Sequence, residues 1–92
     1  MTEDGSARLR EIVMPSVEVG MDAGRLVDFL VQVGDRVSVG QPLFTVEAEK
    51  VTLEIESPVA GRVAELCVSP GSEVAVGLPV LVLKVEQDTG AR

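Results

Sequence analysis

The chain contains no histidine, tryptophan or tyrosine, and it has one cysteine, two phenylalanines and two lysines. The missing histidine removes the commonest general base and metal ligand. With one cysteine to add, no zinc site can be assembled, since carboxylates alone suit harder cations. A single thiol also forms no internal disulfide, which fits a reducing compartment. No glycine-rich loop leads into a helix as a phosphate cradle does, and no helix is apparent. A self-contained catalytic site is therefore not expected.

Other absences narrow the setting. There is no long apolar run and no basic amphipathic segment, so membrane association is not expected. Eight Lys and Arg against fifteen Asp and Glu give a net charge of −7, the wrong sign for binding nucleic acid by counterion release. Met1 to Arg10 is acidic and polar, without the apolar stretch of a signal peptide or the Arg/Ser-rich character of a transit peptide. Together these features point to a bacterial cytoplasm, with the mitochondrial matrix as second choice.

What is present is valine. Eighteen valines and two isoleucines in 92 residues favour strands over helices. The length suits one domain burying about 60% of the unfolded chain's surface, with a thin core of small side chains. A 37-residue offset lays Ala23–Glu49 on Ala60–Glu86 with no gap, and 10 of 27 positions are identical. Four of the matches are Gly or Pro (Gly24/Gly61, Gly34/Gly71, Gly40/Gly77 and Pro42/Pro79), residues that fix turns. Two copies of one supersecondary unit imply a pseudo-twofold domain.

Between polar tails at residues 1–8 and 88–92, a single domain over residues 9–87 is expected. Within it the pattern predicts eight strands near 9–14, 25–31, 36–39, 43–48, 51–57, 62–68, 73–76 and 80–86. The fold class is all-β: a flattened barrel or sandwich of two four-stranded antiparallel sheets. Val27, Phe29 and Val31 alternate with Asp28, and Ala64, Leu66 and Val68 alternate with Glu65. Phe44, Val46 and Ala48 match Leu81, Leu83 and Val85. These sets are expected to line the core.

Val51, Leu53 and Ile55 alternate with Thr52, Glu54 and Glu56, a strand with one wet face. It follows Phe44–Ala48 after only Glu49 and Lys50, so a tight hairpin with Lys50 at its tip is predicted. Glu-Lys suits an ordinary type I turn and lacks the Asn-Gly signal of a primed one. Lys50 ends the first copy, where the chain turns back, and its counterpart Gln87 ends the second. The Lys50 turn is therefore expected at the opposite end of the domain from the C-terminus. A lysine acting as nucleophile in its own site is activated by burial or by a cationic neighbour. Lys50 instead has Glu49 beside it, with Glu47, Glu54 and Glu56 on the same hairpin. Such a lysine reads as an external enzyme's substrate, or as one more solvated turn residue.

The stretch VEAEKVTLEIESPVAG resembles the modification hairpin of lipoyl domains, carried by the acyltransferase subunits of 2-oxo acid dehydrogenases. Their usual pattern is Glu-x-Asp-Lys-Ala or Glu-x-Asp-Lys-Val. Glu47, Lys50 and Val51 match it, while Glu49 replaces the aspartate. Met14-Pro15, Gly20-Met21, Gly34-Asp35-Arg36-Val37 and Ser57-Pro58-Val59-Ala60-Gly61 extend the resemblance from about Leu9 to Glu86. It implies a barrel-sandwich hybrid carrying lipoate in amide linkage on Lys50. Glu47, Glu49, Val51, Gly20 and Met21 would then serve recognition, the last two flanking the turn. The implied partners are a lipoate ligase or octanoyl transferase, a thiamine-dependent 2-oxo acid decarboxylase, the acyltransferase core and dihydrolipoyl dehydrogenase. The domain itself is expected to be monomeric.

Three rivals share the architecture. Biotin carrier domains usually place the lysine between two methionines, whereas Glu49 and Val51 flank it here. Adaptor domains of membrane-fusion proteins usually insert a helical hairpin where this chain has a two-residue turn. The glycine-cleavage carrier protein is longer and has added helices. Of the remaining residues, Cys67 faces away from the predicted core with Glu65 and reads as a partly covered structural thiol. The carboxylates Glu47, Glu49, Glu54 and Glu56 either keep an open sheet face soluble or steer the domain toward basic partners.

Overall fold

A computed structural model of the chain describes residues 8–86. It has eight strands: β1 Arg8–Val13, β2 Ala23–Phe29, β3 Arg36–Val37, β4 Pro42–Glu47, β5 Thr52–Glu56, β6 Gly61–Leu66, β7 Glu73–Ala75 and β8 Pro79–Val85. They form two four-stranded sheets, ordered β1-β8-β6-β3 and β5-β4-β2-β7, with every pairing antiparallel. The expected all-β class and sheet count are met. β3 and β7 are shorter than expected, and Arg8 belongs to β1 rather than to a tail, pairing with Val85. The rest of the two expected tails, and Gln87, lie outside the described residues.

The repeat is visible in the strand order. The first copy supplies β2, β3 and β4 and the second supplies β6, β7 and β8. However, β3 pairs with β6, and β7 pairs with β2. Each copy thus lends one short strand to the sheet built mainly by the other. The turns repeat too. Gly34 and Gly71 (φ 96° and 90°), and Gly40 and Gly77 (φ 86° and 95°), each sit third in a four-residue turn. Those turns are closed by Asp35 N→Gln32 O, Ser72 N→Ser69 O, Gln41 N→Ser38 O and Leu78 N→Ala75 O at 3.0–3.1 Å. A positive φ at that position defines the type II turn and favours glycine.

The core consists of Ile12, Met14, Leu26, Val31, Val37, Leu43, Phe44, Val46, Val63, Val74, Val80, Leu81 and Leu83, with Phe29 edge-on to Phe44 at 6.3 Å. Two of the residues expected to line the core face outward instead. Val27 is 41% exposed and Ala64 is exposed, while Leu26 and Val63 point inward. A β-bulge causes the exchange: Leu26 pairs with Val46 and Asp28 with Thr45, leaving Val27 unopposed, and Ala64 is skipped likewise between Val63 and Glu65. An extra residue resets the alternation, so Phe29 and Val31 return to the inner side, Val31 being buried. A second bulge pair skips Leu43 and Val80. It lets two consecutive residues, Leu43-Phe44 and Val80-Leu81, be buried in each copy.

Candidate modification site at the β4–β5 turn

The β4–β5 hairpin runs in register from Phe44↔Ile55 through Thr45↔Glu54 and Val46↔Leu53 to Glu47↔Thr52. Ala48 N then donates to Val51 O at 2.8 Å, and the loop itself is Glu49 and Lys50. Both are exposed, and neither has positive φ. Primed turns, whose twist matches that of the strands, need positive φ. The hairpin therefore closes on a less favoured turn, held by the pairing of its strands. Ala48 and Val51 are half-buried beneath the tip.

From Lys50, β5 leads away down the molecule to the buried Ser57. The Ser57 amide donates to Gln41 O (2.9 Å), its carbonyl accepts from Gly40 N (2.8 Å), and its hydroxyl donates to Val59 O (2.6 Å). Three residues on, Ala60 O accepts from Glu86 N at 3.1 Å. The last described residue of β8's trailing end thus lies one strand length from the lysine, at the other end of the domain.

Facing the Lys50 turn is the loop between β1 and β2. Met14 anchors it, donating to Leu78 O and accepting from Gly77 N, both at 2.9 Å. Residues 18–21 form a type II turn, with Met21 N→Glu18 O at 3.3 Å and Gly20 at φ 80°. This fifth left-handed glycine has no partner in the repeat, since Ser57 stands 37 residues on. The Met21 side chain packs on the core and its sulfur accepts from Val17 N at 3.3 Å. A cleft of about 300 Å³ separates loop from turn, lined by Gly20 and Met21 on one side and Ala48 and Glu49 on the other. The structure therefore brings Gly20 and Met21 beside the lysine turn. It also shows a residue that sequence reasoning missed: Glu18 Oε1 accepts a hydrogen bond from the Lys50 backbone amide at 3.2 Å. Thirty-two residues separate the two, and no local pattern connects them.

Glu47 ends β4 opposite Arg25 of β2, while Glu54 and Glu56 are exposed on β5, the edge strand of its sheet. Cys67 is exposed rather than partly covered. It lines a separate open groove of about 740 Å³ with Glu11, Leu78 and Val82. The groove wall's desolvation pushes the thiol pKa up, and the carboxylates of Glu65 and Glu11 push it further the same way. Among the described residues, no group of three or more His, Cys, Asp or Glu is placed to hold a metal ion, and no helix is long and apolar enough to cross a membrane.

Two interlocked four-stranded sheets thus present the exposed Lys50 on a two-residue turn. The chain belongs to the biotin/lipoyl attachment family, whose model, described as "Biotin-requiring enzyme", matches residues 10–83. It is 47% identical over 49 residues to the lipoamide acyltransferase component of the branched-chain alpha-keto acid dehydrogenase complex of Pseudomonas aeruginosa, covering 53% of this chain and 11% of that protein. It is 40% identical over 50 residues to the dihydrolipoyllysine-residue acetyltransferase component of pyruvate dehydrogenase from Mycoplasma genitalium, covering 54% and 13%. The matches span 8–13% of the curated relatives' lengths. The fold is similar to the solution structure of the lipoyl domain of the Azotobacter vinelandii 2-oxoglutarate dehydrogenase complex, with TM-score 0.66, 21% identity, and 84% and 95% of the two chains covered. It is also similar to part of a single-chain, multi-domain long-chain acyl-CoA carboxylase, with TM-score 0.71, 24% identity, and 90% and 8% covered.

Proposed function

We propose that this chain is a lipoyl carrier domain, modified on Lys50, which moves acyl groups and reducing equivalents between the subunits of a 2-oxo acid dehydrogenase complex. One observation carries the reading: the exposed Lys50 stands on a two-residue turn at the end of the domain away from Glu86. An amine there can be acylated by an enzyme that encloses only the hairpin tip, while a tether leaves from the other end. The residues fit lipoate in amide linkage, since the attachment needs an exposed lysine on a protruding turn and no internal pocket. Once attached, the dithiolane supplies the acyl-transfer and redox chemistry, and the protein supplies reach and presentation. The implied partners are a lipoate ligase or octanoyl transferase, a thiamine-dependent decarboxylase, the acyltransferase core and dihydrolipoyl dehydrogenase. The relatives named above are themselves components of such complexes.

Incubation with lipoate ligase or biotin ligase, each with ATP and its cofactor, followed by intact mass measurement, tests the reading. Wild-type protein should gain one lipoyl group and no biotin. Lys50→Ala combined with Val51→Lys should gain neither while keeping its fold, because one step along the turn re-aims the side chain. Glu49→Met with Val51→Met should admit biotin. Acceptance of biotin and refusal of lipoate by the wild type would leave an attachment domain with the other cofactor. Refusal of both, where a known lipoyl domain is modified alongside, would favour an unmodified adaptor.

A further inference from the structure

The Lys50 turn draws support from outside its hairpin as well as from the pairing of its strands. Glu49 and Lys50 span it with ordinary φ values, and within the tip the Ala48 N→Val51 O bond leaves the Glu49–Lys50 peptide itself unheld. The Glu18 carboxylate supplies the missing hold by accepting from the Lys50 amide at 3.2 Å. Glu18 is itself fixed from behind. Its carbonyl accepts both Ser16 Oγ (3.2 Å) and Met21 N (3.3 Å), and Gly20 completes the turn at φ 80°. Met21 then ties that turn to the core. The chain of support thus runs from core to Met21, to the 18–21 turn, to the Glu18 carboxylate and finally to the Lys50 peptide.

We propose that Glu18 is a positioning residue for Lys50: its carboxylate pins the turn's backbone, so that the amine is presented in one direction to the modifying enzyme. The inference rests on the carrier reading for its consequence, but not for the pin itself. A released turn would populate several conformers, of which the enzyme binds one. Apparent affinity then falls by the fraction of time spent in that conformer, while the step after binding is unchanged. Loss of the pin should therefore raise KM and spare kcat.

Two variants and two readouts decide the matter. Glu18→Ala removes the acceptor, while Glu18→Gln keeps an acceptor oxygen and removes the charge. In the unmodified chain, amide hydrogen exchange followed by NMR should show Lys50 exchanging roughly tenfold faster in Glu18→Ala, the change expected for one net hydrogen bond. Glu18→Gln should stay near the wild type, and the amides of β2 and β4 should be unaffected in both. Lipoylation by lipoate ligase should show a raised KM with unchanged kcat in Glu18→Ala, rescued in Glu18→Gln. Unchanged Lys50 exchange in Glu18→Ala would overturn the proposal. So would equal KM defects in both variants, since the enzyme would then be reading the charge of Glu18. Should the wild type accept no lipoate at all, the carrier reading falls, and the exchange measurement alone still decides whether Glu18 pins the turn.

Discussion

At the scale of single residues, Gly24 near the start of β2 and Gly61 at the start of β6 occupy equivalent positions in the repeat and guard different things. A Cβ on Gly24 would lie 2.6 Å from Met21 Cε, 2.9 Å from Met14 Sδ and 3.1 Å from Val46 Cγ1. A Cβ on Gly61 would overlap the carbonyl oxygen of Lys84 and lie 3.2 Å from Val85 Cα. Side-chain ends can swing aside, whereas the paired backbone of β8 cannot. Gly61→Ala should cost about 1–3 kcal/mol, the usual range for overpacking, and Gly24→Ala less. Gly24→Ala should instead displace Met21, and with it the loop that reaches Lys50. Urea denaturation midpoints test the order, and a larger loss at Gly24 would contradict it. Cys67 has its own sign to check. Partial desolvation against the groove wall first, then Glu65 and Glu11, favour the protonated thiol of the exposed Cys67, so the thiolate fraction at pH 8 is reduced. Alkylation by iodoacetamide should be slower than for a free cysteine, and Glu65→Gln should speed it. An unchanged rate in that variant would remove the carboxylate from the account.

At the scale of elements, the four bulges explain where sequence reading succeeded and where it slipped. Strict alternation placed Phe29, Val31, Phe44, Val46, Leu81 and Leu83 on the inner side, where they are found, half-buried or buried. It assigned Val27 and Ala64 inward because a bulge changes the count by one residue without leaving a residue type as its signal. Leu43 and Val80 were passed over for the same reason, each lying beside a neighbour that already filled the alternating position. Adjacent residues on the two sides of the bulge should respond oppositely to substitution. Leu26→Ala should cost about 2–5 kcal/mol, as for other large-to-small core changes. Val27→Thr should stay within about 0.5 kcal/mol, as for most surface substitutions. Comparable losses from the two would mean the bulge is misplaced. The β4–β5 turn was legible, because alternation on both sides of Glu49-Lys50 leaves no other register that keeps Val46 inside. Glu18 was not legible, because its contact depends on how a nine-residue loop folds back after Met14-Pro15.

At the scale of the whole molecule, the internal repeat could be read from the glycines and prolines, but its interlocking could not. Nothing in the alignment of Ala23–Glu49 on Ala60–Glu86 says that β3 crosses to the second copy's sheet and β7 to the first. The consequence is energetic. Each copy alone would hold one hairpin's worth of long strands, and two-stranded units are marginal in water. Its lent strand would have no sheet to join. The exposed ion pair between Arg36 and Glu86, 2.9 Å with side chains 65% and 42% exposed, links the two copies but adds only about 0–1 kcal/mol. Mutual burial of the two inner faces must therefore supply the stability, and it exists only when both copies are present. Cutting the chain after Ser57 should give two fragments, residues 1–57 and 58–92. The second, with β6 and β8 as its only long strands, should be unfolded by circular dichroism. The first, whose β5-β4-β2 sheet has lost the cover of its inner face, should be at most partly folded. Mixed at high concentration, they should regain β structure together. The intact chain should unfold in one transition, with coincident midpoints for a core probe and for the Lys50 turn. A stable 58–92 fragment, or separate transitions for the two sheets, would show that the copies fold as independent units that merely touch.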